Sequence, residues 1–185
     1  MKRGSTFGVA LVVAAATAAC GSGGTDAPPG EGTTTASTFL AFGGDFAGFR
    51  DWSSYKVTDD PKVSAGIHTS GPRTEYLNHK PAHGSTSFPI GTVIVKEFAG
   101  TAAAPGQIFA MVKRGGGFNA AGANGWEWFE LTVAKDESIA IVWRGVGPPS
   151  GEKYGGDPTG GCNGCHGAAS NNDSVQSANL RLSSF

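Results

Sequence analysis

No apolar run in this chain has the length of a membrane span, which takes about 20 residues. The stretch Phe7–Ala19 comes nearest, and it has 13. Behind the positive Lys2 and Arg3 it reads as a signal peptide over residues 1–20. Basic clusters are also missing, which excludes nucleic acid as a partner. Without Lys2 and Arg3, 12 basic residues face 15 acidic ones, a net charge of −3. No internal repeat occurs. Methionine is scarce, with only Met1 and Met111, and cysteine is limited to Cys20, Cys162 and Cys165.

Each cysteine has a place that leaves no thiol for a disulfide. The first ends Thr17-Ala18-Ala19-Cys20-Gly21, where small residues precede a cysteine as in a lipobox. Lipidation of Cys20 would make it the mature N-terminus and tether the protein to the periplasmic side of a bacterial membrane through lipid alone. Thr17 departs from the usual leucine, so simple cleavage nearby and release into the periplasm stays open. Residues 21–38 are rich in Gly, Pro, Ser and Thr and hold no large apolar side chain, so they cannot bury enough surface to order themselves. As a flexible tether they span about 23 Å root-mean-square. One domain of ordinary size, residues 39–185, follows.

The other two cysteines stand in Cys162-Asn163-Gly164-Cys165-His166. Cys-x-x-Cys-His is the attachment sequence of a c-type haem: two thiols bind the porphyrin edge and the adjacent imidazole ligates iron. A zinc site would need two more ligands, and His68, His79 and His83 lie far upstream in no metal-binding spacing. A thioredoxin-like redox pair belongs in a βαβ context that this glycine-rich neighbourhood lacks. Nothing from Gly167 to Phe185 offers a sixth ligand, since Met, His, Cys and Lys are all absent there. Met111 lies in a strand-like run where core packing is its expected role. A five-coordinate haem with an open face is the simplest reading.

The fold class reads as mainly β (α+β): an antiparallel sheet with a few short helices and the haem-attachment segment near the C-terminus. Four β-branched or aromatic runs, Thr92–Phe98, Gln107–Arg114, Trp126–Val133 and Ser138–Arg144, are separated by turn residues. Their close spacing leaves no room for parallel crossovers. Phe46, Phe49 and Trp52 recur at helical intervals and predict a short amphipathic helix over Asp45–Tyr55. The segment around Cys162 is expected to form a short helix carrying His166. Trp126, Trp128 and Phe129 read as core or haem-packing residues.

These motifs together resemble the cytochrome P-460 family, which includes hydroxylamine-oxidising cytochromes and the β-sheet type of cytochrome c prime. The resemblance covers about residues 49–166. It rests on Phe49-Arg50-Asp51-Trp52, Arg73-Thr74-x-Tyr76, Phe88-Pro89-x-Gly91-Thr92-Val93-x-Val95-Lys96-Glu97, Gly125-Trp126-x-x-Phe129 and the C-terminal Cys-x-x-Cys-His. It implies an antiparallel sheet with helices packed against it, and often a homodimer. It also implies that Lys96, in the Gly-Thr-Val-x-Val-Lys-Glu strand, is bonded covalently to the haem edge, as in the hydroxylamine-oxidising members. By pattern alone, Lys96 is a strand lysine whose stem packs while its ammonium reaches water. Arg73 falls at the position of an arginine that lines the distal pocket in relatives; by pattern it is an exposed strand charge. Asp157 and Glu152, close before the attachment sequence, are candidate pocket acids or bases.

Three activities fit. In the first, the protein is a haem-dependent oxidoreductase that converts hydroxylamine to nitrous oxide or nitric oxide and passes electrons to a periplasmic acceptor. In the second it is a non-catalytic nitric oxide-binding protein. In the third it carries electrons, with Met111 or a histidine as sixth ligand.

Overall fold

The computed structural model describes residues 37–58, 72–100, 102, 105–150 and 161–185. All belong to one compact unit, Thr35–Phe185. The signal region, Cys20, most of the linker, His68, Glu152 and Asp157 lie outside the described residues. Among the described residues no helix is long and apolar enough to cross a membrane.

The mainly β reading holds. Six strands, β1 (Ser53–Val57), β2 (Arg73–Leu77), β3 (Val93–Phe98), β4 (Gln107–Lys113), β5 (Trp126–Val133) and β6 (Ile139–Gly145), form one sheet. Each pairs antiparallel with the next in chain order. The helix α1 (Gly161–Gly167) carries the cysteines. The four strands expected from sequence are found within one residue at each end.

Both faces of the sheet are covered, which is why β3 and β4 read as nearly continuous apolar runs. One face packs Tyr76, Val93, Val95, Ala110, Val112 and Phe129 against Phe46 and Phe49. The other packs Ile94, Phe98, Met111, Trp126, Trp128 and Trp143 against Val175, Leu180 and Leu182 of the C-terminal tail. Alternation along each strand assigns the faces. On β3, Ile94, Lys96 and Phe98 look toward α1 and the tail; on β2, Arg73, Glu75 and Leu77 do the same, since Glu75 stands opposite Lys96 in the register.

The opening segment differs from its expected form. In place of one helix over Asp45–Tyr55 there are two single 3-10 turns, Gly43–Phe46 and Phe49–Asp51, followed directly by β1. Gly48 separates them in the left-handed conformation, φ +65°. The spacing of Phe46 and Phe49 at three residues suits a 3-10 turn with three residues per turn as well as an α-helix. Both rings are buried as the spacing implied, with Trp52 packed beside them.

Candidate haem-attachment site

Helix α1 is seven residues long and contains Gly161, Gly164 and Gly167, so intrinsic propensity does not sustain it. Tertiary bonds hold it, and Asn163 supplies most of them. Asn163 is buried. Its Oδ1 accepts from Trp128 Nε1 at 2.8 Å and from Asn119 Nδ2 at 2.8 Å. Its Nδ2 donates to Asn119 Oδ1 and to the Val146 carbonyl, both at 2.9 Å. Gly122 lies against it, because a Cβ there would sit 2.4 Å from Asn163 Cγ. The first variable residue of the Cys-x-x-Cys-His sequence therefore pins the helix to β5 and to the loop before it.

Asn163 and His166, three residues apart, are both buried on the side that meets Trp128, and Cys162 and Cys165 flank His166 at intervals of four and one. His166 is buried, with Nδ1 2.8 Å from the Ser174 carbonyl oxygen. A carbonyl can only accept, so Nδ1 carries a hydrogen. In the neutral imidazole that is the tautomer able to ligate a metal through Nε2, and the carbonyl bond orients the ring. The Trp128 ring lies 4.6 Å from the imidazole, tilted by 54°. One residue therefore ties together the helix and the tryptophan that packs on its histidine.

Beside His166 runs a slot of about 350 Å³, its open side included. Its walls include Ile94, Phe109, Met111, Trp128 and Trp143, with Cys162, His166 and Lys96 opening into it. Glu130 holds the Trp143 indole N–H at 2.6 Å. Burial pushes the Cys162 thiol up to about 11, with the nearby Lys96 ammonium working in the opposite direction. A neutral buried thiol is unlike the lowered-pKa cysteine of a redox pair. A thioether sulfur carries no charge and suits this apolar wall. Cys165 is exposed, and neither cysteine is in a disulfide. Two thiols and a histidine with Nδ1 anchored form a donor set that covalent haem attachment can use, and the adjoining apolar slot, smaller than a haem, would border only part of the ring.

Lys96 is where sequence pattern and structure part. It does not snorkel to water: it is 7% exposed and donates from Nζ to the Gln176 carbonyl at 3.2 Å. Compared with models of known protein families, with curated proteins and with solved structures, the chain matches none. Lys96 lines the same slot as Cys162 and His166.

Arg73 is not an exposed strand charge either. It is 4% exposed, on the face that looks toward α1, and its Nε donates to Glu75 Oε1 at 3.0 Å. It does not line the slot; it borders a separate hollow beside Lys56 and Phe98. Glu75 is fully buried and also takes a hydrogen bond from the Ser177 hydroxyl. This carboxylate was not singled out by the sequence, which pointed to Asp157 and Glu152, both outside the described residues. The alternation of Arg73, Glu75 and Leu77 on an inward strand face was the available signal. His79 and His83 are exposed and away from the slot, whereas Met111 lines it.

Proposed function

We propose that the chain is an exported mono-haem c-type cytochrome of the cytochrome P-460 kind that oxidises hydroxylamine. Cys162 and Cys165 hold the haem, and His166 ligates its iron. Bound there, the haem supplies an iron that takes up small nitrogen oxides and a route for electrons to a periplasmic acceptor. The observation that carries the reading is that Lys96 lines the same slot as Cys162 and His166, the placement a lysine bonded to the haem edge requires.

The chain's own residues have distinct tasks. The Nδ1–H bond of His166 to the Ser174 carbonyl holds the imidazole in its ligating tautomer. Phe109, Trp128 and Trp143 keep the slot apolar, which strengthens electrostatic effects within it. Arg73 and Glu75 neutralise one another on the same sheet face, so the charge of Lys96 adjoins a paired system rather than a lone carboxylate. Asp157 stays a candidate proton acceptor.

Two other readings each rest on an observation. An apolar slot suits a nitric oxide-binding protein that performs no turnover. Met111 within that slot suits an electron-transfer cytochrome with a methionine ligand. The optical spectrum of the purified protein separates the three. A strongly shifted Soret band with hydroxylamine turnover is expected. An ordinary high-spin spectrum without turnover would favour gas binding, and a low-spin spectrum would favour electron transfer.

A further inference from the structure

We propose that Gln176 is a positioning residue for Lys96, holding the lysine nitrogen at the slot by tying the C-terminal tail to the attachment helix. The inference deepens the haem reading and rests on Lys96 working at that slot.

The tail leaves α1 through a tightly specified turn. Asp173 and Ser174 are consecutive non-glycine residues in the left-handed region, φ +50° and +64°. Such conformations persist only where surrounding bonds over-determine them, and here they do. The Asp173 carboxylate accepts from Lys113 Nζ at 2.6 Å and from the Phe88 amide at 2.8 Å. Its carbonyl accepts from Trp126 Nε1 at 2.6 Å. The Ser174 amide donates to the Ala169 carbonyl at 2.9 Å.

From that turn, three neighbouring residues reach three parts of the site. The Ser174 carbonyl takes the His166 bond. The Gln176 side chain donates from Nε2 to the Cys165 carbonyl at 2.9 Å, while its own carbonyl accepts from Lys96 Nζ. The Ser177 hydroxyl bonds Glu75, the cross-strand neighbour of Lys96. A lysine has four rotatable bonds and water is the usual destination of its ammonium. An acceptor inside the protein, fixed to the helix that carries the cysteines, keeps Nζ at the slot. The side-chain bond to Cys165 determines where the Gln176 carbonyl points.

Gln176→Glu keeps the size of the side chain and removes the N–H donor. Ser177→Ala loosens the same tail one residue away without touching the acceptor of Lys96. The purified wild-type protein and both variants are treated with acetic anhydride under native conditions, and acetylation is read by peptide mass spectrometry. Exposed Lys135 serves as reference in each sample. In chains whose Lys96 is not bonded to haem, wild-type Lys96 should react about tenfold less than Lys135; a haem-bonded amine does not react. Gln176→Glu should raise the Lys96 ratio about threefold or more, and Ser177→Ala by less than half that rise. An unchanged Lys96 ratio in Gln176→Glu overturns the proposal, as does an equal rise in Ser177→Ala, which would mean general loosening. Haem staining of the same samples separates the two claims. A Lys96 ratio that rises in a protein lacking haem supports the positioning role and removes the haem reading. An unchanged ratio in a haem-bearing protein does the reverse. Where Lys96 is bonded to haem, Gln176→Glu should also lower the yield of the haem-linked Lys96 peptide and shift the Soret band toward that of an ordinary c-type haem.

Discussion

Replacing Asn163 by alanine should destabilise the domain far more than a polar-to-alanine change on a short helix ordinarily does. The substitution strands the Trp128 indole N–H, which is buried and pointed at Asn163 Oδ1, at about 1–3 kcal/mol. It also breaks the reciprocal pair with Asn119 and the bond to the Val146 carbonyl, which are half-buried and add about 1 kcal/mol. The expected loss is about 2–4 kcal/mol, a large part of the roughly 5–15 kcal/mol available to a domain. With a urea dependence of about 2 kcal/mol per molar, the midpoint should fall by about 1–2 M. Asn119→Ala should cost less, and the double variant less than the two together, because the residues share one bonded pair. A midpoint shift in Asn163→Ala worth under about 1 kcal/mol, or strict additivity with Asn119→Ala, would refute the view that this asparagine anchors the attachment helix.

Lys96→Arg keeps a positive charge but presents a guanidinium that stays protonated; hydroxylamine turnover should fall about a hundredfold, nitric oxide binding much less, and trypsin should no longer yield a haem-linked Lys96 peptide. Met111→Leu should leave the optical spectrum unchanged if the iron is five-coordinate, whereas a low-spin to high-spin change would identify Met111 as a ligand. Burial disfavours the charged form of Glu97, yet the bonds from Arg50 and Tyr76 outweigh it and hold its carboxyl below the usual range. Because the folded pKa is the lower one, this stabilisation is present above the ordinary glutamate value and is lost as pH falls through the folded one. Urea midpoints between about pH 3 and 6 should therefore fall less steeply on acidification in Glu97→Gln than in the wild type, and equal slopes would contradict this.

The parts of the fold legible in sequence were those with local patterns. β3 to β6 carry β-branched and aromatic runs, and the attachment helix is marked by its cysteines. β1 and β2 were hidden for a physical reason. β1 is an exposed edge of sequence Ser-Ser-Tyr-Lys-Val, and β2 turns Arg73 and Glu75 inward as a pair, so neither shows apolar alternation. The opening turns misled because phenylalanines three residues apart satisfy two kinds of helix. Within the site, Cys162, Cys165 and His166 were legible at once. The inward direction of Lys96 was not, since both faces of β3 are apolar and alternation alone cannot say which one meets the helix. Asn163 and Gln176 act through partners 35 and 80 residues away, and bonds of that span leave no trace in local sequence, whereas Glu75 pairs with Arg73 two residues off along its own strand.

The central claim is that one haem is held covalently by Cys162 and Cys165 at a slot shared with Lys96. The mass of the intact chain under denaturing, reducing conditions tests it most directly. The wild type should weigh one haem more than its mature polypeptide, and Cys162→Ala with Cys165→Ala should lose that mass or retain it through Lys96 alone. A wild-type chain at bare polypeptide mass, with Cys162 and Cys165 both open to alkylation, would contradict the account.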